Sequence, residues 1–431
     1  MGKRWIWAVT VIAALATAAA AFAKPGETRL TDLSVYLGAV DGLTGGASLY
    51  DFTRGAAPFT YPPFAALLFT PLTWLPIGVV QVAWTLATLA TVAGLAALFT
   101  RHQATPTNRH RGKTAAVGVP ATRQGDTTTG RTARGAGQGS TTTDLAARNT
   151  RQGDVLGRLA ELVTRHRAVP ALVALALVLS APVSSDIKYG QVSLFLAALV
   201  AADFLALRRT PWHGALVGLA AAIKLTPLIF IPLLWFAGRR VAAAVAGATF
   251  AGCAVITAAT LPGDSWTYWT DKIFQVNRLG YIDGVGNQSL NGALLRLGLA
   301  DDTRGTLVLV VGGAIAVAAL VRAVRPARRG DWLSAVVVIG AASIVLSPVS
   351  WTHHQIWLVL AVFLPVARVT IWRATVLIVM ILPVPVLFSE SRLLLAITIA
   401  ALLPISRRPA IAVTAGRGSA RPPLRPAGAG R

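Results

Sequence analysis

The chain has 431 residues, 54% of them hydrophobic and 13% charged, with a mean hydropathy of +0.61. Soluble domains carry roughly 25% charged residues, so this composition argues against a soluble enzyme. The net charge of +23 raises nucleic-acid binding, but the base-stacking aromatics and the folded basic module that such binding needs are missing.

Long apolar runs recur from the first residues almost to the last, with none of the period-2 alternation of a membrane barrel. The expected fold class is all-α: one polytopic membrane protein of about 12 helices, including a short broken pair, with outer-face loops forming an active cavity. Spans are expected near 5–23, 77–100, 169–186, 190–207, 213–223, 226–236, 241–261, 306–323, 331–348, 355–369, 373–388 and 393–405. With the N-terminus cytoplasmic, about 30 of the 40 Lys and Arg fall inside, and about 11 of the 17 acids outside. The positive-inside rule thereby explains the charge. It puts the loop that carries Asp32 on the extracytoplasmic face, and the expected location is the plasma membrane.

The N-terminus (Lys3, Arg4, an apolar run, then Ala21-Phe22-Ala23) is read as a retained first helix, with a cleaved signal peptide as the competing reading. Asp32 is outside either way. Residues 24–60 form a polar outer loop in which Asp32 to Leu43 can make a short helix ended by Gly45-Gly46. Tyr61-Pro62-Pro63 breaks the chain. Phe64 to Leu75 is apolar but too short to span, and reads as interfacial or re-entrant.

Residues 101–168, rich in Thr, Gly, Gln, Ala and Arg, are expected to be a disordered basic cytoplasmic insert, and 406–431 a disordered basic cytoplasmic tail. Each is a tolerated extension or an attractor of anionic head groups. Four regions follow: 1–100 with the first helices and the outer catalytic loop, the 101–168 insert, a 169–405 transmembrane core, and the 406–431 tail. Cys253, the sole cysteine, lies in a predicted span and cannot form an intrachain disulfide.

The pair 213–223 and 226–236 is flanked by Arg208-Arg209 and Arg239-Arg240, so both ends should be cytoplasmic. About 24 residues cannot make two full spans. They can make two short helices meeting at Lys224-Leu225-Thr226-Pro227, a break tolerated where it lines a cavity. Lys224 is then an intramembrane cation, either a site for a lipid phosphate or a snorkelling side chain.

Asp32, just outside the bilayer, is a candidate general base for chemistry on a lipid-linked substrate. Lys188-Tyr189-Gly190-Gln191 marks an outer turn, with Gly190 permitting it and the Gln191 amide free for a ligand or a cap. Ser347 to His354 should emerge outside. His353 and His354, being adjacent, cannot share a helical face to bind zinc, but one can orient an acid or contact a phosphate. Asn287-Gln288-Ser289 lies near Trp266, Tyr268, Trp269 and Tyr281, where amides and rings suit sugars or an ordinary aromatic belt. No GxxxxGK[ST] loop, GxSxG elbow, HExxH helix, Rossmann fingerprint or DxD motif occurs. No cofactor or metal is called for.

Together the stretches Asp32-Leu33-Ser34-Val35-Tyr36, Leu49-Tyr50, Phe59-Thr60-Tyr61-Pro62-Pro63, Gly190-Gln191-Val192, Gly218 to Pro227, Asn287-Gln288-Ser289 and Ser347 to His354 resemble, in order, the actinobacterial polyprenol-phosphate-mannose-dependent alpha-(1→2)-mannosyltransferases. These are integral membrane enzymes of glycosyltransferase superfamily C. The resemblance implies an outer-facing cavity and an inverting transfer from a polyprenyl monophosphate sugar to a phosphatidylinositol mannoside, lipoglycan or other glycan. It implies that Asp32 is the catalytic residue and that His353 or His354, with His354 favoured, supports it. Lys224 and Gln191 are the candidate donor-phosphate contacts. Tyr36, Tyr61, Asn287, Gln288 and Trp351 are the candidate sugar or acceptor contacts. Ser193 departs from the family, which often has Asn there. The competing reading is a transporter or flippase of lipid-linked sugars, which broken helices and an intramembrane lysine also suit.

Overall fold

The computed structural model describes residues 2–55, 57–104 and 169–406. The expected insert and tail fall almost wholly outside these residues. The described residues are mostly helical, and one two-residue antiparallel pair, Thr53–Arg54 with Ala57–Pro58, closes a loop.

Among the described residues, four helices are long and apolar enough to cross a bilayer: Arg4–Phe22, Ile77–Gln103, Arg240–Thr260 and Asp301–Arg328. The bent pair Val169–Leu179 and Ala181–Tyr189 makes a fifth if counted as one span. Six more apolar helices have 10–17 residues, shorter than the ~20 a bilayer core requires. This is an all-helical membrane protein whose outer surface is apolar, with Ile12, Val241 and Leu309 well exposed.

Several expected spans are interrupted, among them 373–388, which breaks at Leu382-Pro383. The 169–186 run bends by 64° at Ser180, where Pro182 opens the next helix and Ser180 Oγ donates to Leu177 O at 2.6 Å. Proline lacks the N–H that would continue the ladder. The 306–323 run sits in a longer helix with a π-turn at Val308–Gly312. The 355–369 run breaks into Ile356–Leu360 and a 3-10 turn, Ala361–Phe363, just before Pro365.

The Trp332–Leu346 helix is buried on every side and forms the axis of the bundle. A helix apolar all round belongs in such a place. Beside it, Ala215–Ile223 packs closely on Arg240–Thr260. A Cβ on Gly218 would come 2.3 Å from the Ala246 carbonyl oxygen, so only glycine allows that approach. Buried Asp203 holds the start of Ala215–Ile223, accepting from the N–H groups of Gly214 at 2.7 Å and Val217 at 2.9 Å. These contacts fix the helix that ends at Lys224. The 3-10 turn Thr226–Ile229 and the helix Phe230–Phe236 follow, forming the expected broken pair.

Candidate active site

The Thr31–Thr44 helix opens with an unusual residue. Its N-cap, Leu30, is fully buried and has a φ of 45°, the one positive φ outside glycine among the described residues. That conformation costs an L residue about 1–2 kcal/mol. Asp32 follows in the first turn and lines a cavity of about 990 Å³.

Tyr36 lies one turn further along the same face. Its hydroxyl donates to Gln191 Oε1 at 2.9 Å, and the Tyr61 hydroxyl donates to the same oxygen at 3.1 Å. The two hydroxyls lie 2.9 Å apart. With its oxygen so engaged, the Gln191 amide presents Nε2 to Asp32 Oδ2 in a short hydrogen bond. A carboxylate can only accept, so the opposite amide orientation would set oxygen against oxygen.

Gly190 makes this meeting possible. Its φ is 70°, and a Cβ there would lie 2.9 Å from Leu33 Cβ and 3.0 Å from Leu30 Cβ. Asp186 anchors the same turn. Its backbone carbonyl accepts from the N–H of Gly190 at 2.9 Å and of Gln191 at 3.1 Å. Its carboxylate accepts from the Leu194 N–H at 3.1 Å. Burial raises the Asp32 carboxyl from 3.8 to about 6, while the Gln191 bond and the Lys224 charge pull it back.

The far wall is built on the helix break. Lys224 ends its helix in extended conformation, with Nζ 2.7 Å from His354 Nε2 and 5.2 Å from the Tyr61 ring centre. His354 Nδ1 accepts from the Trp351 N–H at 3.1 Å. His353 is buried, and its ring packs edge-on to His354 at 4.4 Å. Behind Lys224 a small cavity of about 50 Å³ is lined by Ser193, Thr226 and Trp357.

Asp32, Tyr36, Tyr61, Gln191, Lys224, Trp351, His353 and His354 all line the large cavity. Asn287 and Gln288 do not. Asn287 donates to Ile282 O and accepts from the N–H groups of Ser289 and Ser350. Gln288 donates to Val285 O and Ser389 O and accepts from the N–H groups of Arg392 and Leu393. Gln288 fills all four of its hydrogen-bonding positions with backbone and Asn287 three of its four, and both are buried. Gln191 is likewise spent on Asp32 and two tyrosines rather than left free for a phosphate. The expected histidine contact to Asp32 is not made in this arrangement. Gln191 holds Asp32, and His354 holds Lys224.

The sequence reading passed over Asp186, although an acid within a predicted span is itself a signal. It also passed over Arg54 and Lys272, which line the cavity from the connecting loops.

A helical membrane protein whose large cavity gathers a carboxylate of raised pKa, a lysine and two histidines is equipped for acid–base chemistry on a lipid-borne substrate. The pattern of glycosyltransferase family 87 matches residues 59–125 and 150–348, more than half the chain, and this chain belongs to that family. It is a glycosyltransferase, which sets aside the transporter reading.

Over 376 residues it is 34% identical to a polyprenol-phosphate-mannose-dependent alpha-(1-2)-phosphatidylinositol mannoside mannosyltransferase of Mycobacterium tuberculosis, covering 84% of this chain and 76% of the relative. Over 361 residues it is 32% identical to a polyprenol-phosphate-mannose-dependent alpha-(1-2)-phosphatidylinositol pentamannoside mannosyltransferase of Mycolicibacterium smegmatis, covering 81% and 72%. No solved structure matches the chain.

Proposed function

We propose that this protein is an inverting mannosyltransferase of the plasma membrane. It moves mannose from a polyprenyl-phosphate donor to the hydroxyl of a phosphatidylinositol mannoside or related lipoglycan on the outer face. The relatives' donor and acceptor classes support this reading, as does the placement of positive charge along the sequence. The observation that carries it is that Asp32 and Lys224 face one cavity, each held by its own partner: Gln191 for the acid, His354 for the cation.

In this reading Asp32 takes the proton of the acceptor hydroxyl as that oxygen attacks the anomeric carbon. The bond from that carbon to the phosphate oxygen breaks, and its electron pair stays on the phosphate. Lys224 neutralises the growing charge, with His354 beside it. A single displacement inverts the anomeric centre. An acid near 6 is a stronger base than an ordinary carboxylate yet is still mostly ionised at neutral pH. Trp351 offers its ring face as a sugar platform. Tyr36 and Tyr61 act through Gln191, and Asn287 and Gln288 shape the loop.

The division into 1–100, 101–168, 169–405 and 406–431, with the second and fourth regions cytoplasmic and about 12 membrane helices, completes the proposal.

The test is transfer from radiolabelled polyprenyl-phosphate mannose by purified wild type beside Asp32→Asn, with phosphatidylinositol mannosides as acceptor. Labelled product from the wild type alone is expected. Equal transfer by a correctly folded Asp32→Asn would sink the assignment of the base.

A further inference from the structure

A second cavity, of about 320 Å³, lies beside the large one, and Gly286 and Thr352 line both. Among the residues that line it, one is charged: Arg392, which is 5% exposed. Its Nε donates to Val379 O at 3.2 Å, and its Nη1 reaches Gln355 Oε1 at a long 3.4 Å. Both partners are neutral. The nearby Glu390 is taken by Arg296 in a two-pronged pair at 2.8 Å.

A guanidinium is charged at any working pH and carries five donors. Burying one without an acid is costly. Here most of those donors are left for another acceptor. Gln288 fixes the base of the arginine by accepting from the Arg392 N–H, so the side chain stands on a rigid footing.

The rim of this cavity is apolar. Leu382 and Val386 line it, and Leu387, 91% exposed, and Phe388 continue the lip. Exposed apolar side chains beside a buried cation fit a molecule with an anionic head and hydrocarbon tails.

We propose that Arg392 binds the phosphodiester of an anionic lipid, and that this lipid is the glycan acceptor. Its acyl chains lie along residues 382–388, and its sugars reach past Gly286 and Thr352 toward Asp32. The planar fork of arginine suits a phosphate that must be held without reacting. The identification of the lipid as acceptor rests on the transferase reading above. Two separate cations then serve two phosphates, Lys224 the leaving one and Arg392 the bystander.

The test uses full-length protein in detergent: wild type, Arg392→Gln, Arg392→Lys, and Val285→Trp, which fills the cavity without removing the arginine. Thermal unfolding is followed with phosphatidylinositol, with diacylglycerol and with inorganic phosphate. Phosphatidylinositol should raise the wild-type midpoint, and diacylglycerol, which lacks the phosphate, should not. The shift should vanish in Arg392→Gln and Val285→Trp and survive in part in Arg392→Lys. In transfer assays Arg392→Gln should raise the acceptor KM about 10-fold or more, the scale of one charge-assisted hydrogen bond, and leave the donor KM within about twofold.

A phosphatidylinositol shift that persists in Arg392→Gln and Val285→Trp overturns the proposal. So does an equal shift from inorganic phosphate alone, which would mark a free-phosphate site. A rise in donor KM in place of acceptor KM would give the arginine to the donor. If wild type shows an Arg392-dependent lipid shift but transfers no sugar, the lipid site stands and the transferase reading fails.

Discussion

Gln191 and Gln288 are both buried glutamines in connections between helices, yet the regions around them do opposite work. Around Gln191, two tyrosine hydroxyls and one carboxylate converge on a single amide, and all three line the large cavity. Around Gln288, the amide is consumed by four backbone groups from two stretches of chain, Val285 and 389–393. The first region aims a side chain, whereas the second ties loops together. The contrast teaches that an amide near a site acts through whatever fills its four hydrogen-bonding positions, and that backbone partners leave it no chemistry.

The largest effect should come from the group that the Gln191 region aims. Asp32→Asn keeps the shape and removes the base, so kcat should fall by about 10²–10⁴ with the unfolding midpoint little changed. Wild-type kcat from a variant of unchanged fold would empty the comparison, because the aimed residue would then have no role. Lys224→Met comes next. It should cost about 10²-fold in transfer and weaken use of the phosphate donor, read as a raised donor KM. An unchanged donor KM would take the phosphate away from this lysine.

Gln191→Ala sharpens the comparison through pH. Asp32 must be ionised to act and its carboxyl sits at about 6, so wild-type kcat/KM should be flat above that pH and fall about tenfold per unit below it. The Gln191 bond lowers that value, so losing it should move the acid limb to higher pH, with kcat about 10-fold down. An acid limb that stays in place would mean that the amide does not hold the carboxylate.

Gln288→Ala should have the smallest effect on kcat per folded molecule, within about twofold. Its cost should appear in stability instead. Stranding buried backbone groups costs about 1–3 kcal/mol each, and the unfolding midpoint should drop by several degrees. A large loss of kcat at an unchanged midpoint would place Gln288 in the chemistry after all.

What the sequence made legible was local. Hydropathy placed the long helices because a bilayer imposes their length. The break at Lys224 was visible because a cation and Pro227 interrupt an apolar run. The turn at Gly190 followed from glycine's freedom at positive φ. What stayed hidden depends on distant parts of the chain meeting. Tyr36 and Gln191 are 155 positions apart, and nothing local says that a tyrosine will orient an amide there. The bend at Ser180 is marked by Pro182 but looks like ordinary span sequence otherwise. The reading of Asn287 and Gln288 as sugar contacts rested on residue type, and residue type does not say which partners are near.

Leu30 sets the terms on which this enzyme can be improved. Glycine at that position would adopt a φ of 45° without strain. The unfolding midpoint of Leu30→Gly would gain from that relief and lose from the missing side chain, which packs against the Gly190 turn. Even where stability is kept, the helix start would be free to swing, and Asp32 rides on it. Turnover should then fall by several-fold while the pH profile keeps its shape. Losing a fully buried leucine costs more than the ~1–2 kcal/mol of strain it would relieve, so the stiff joint at Leu30 outlasts a comfortable one in melting as well as in turnover.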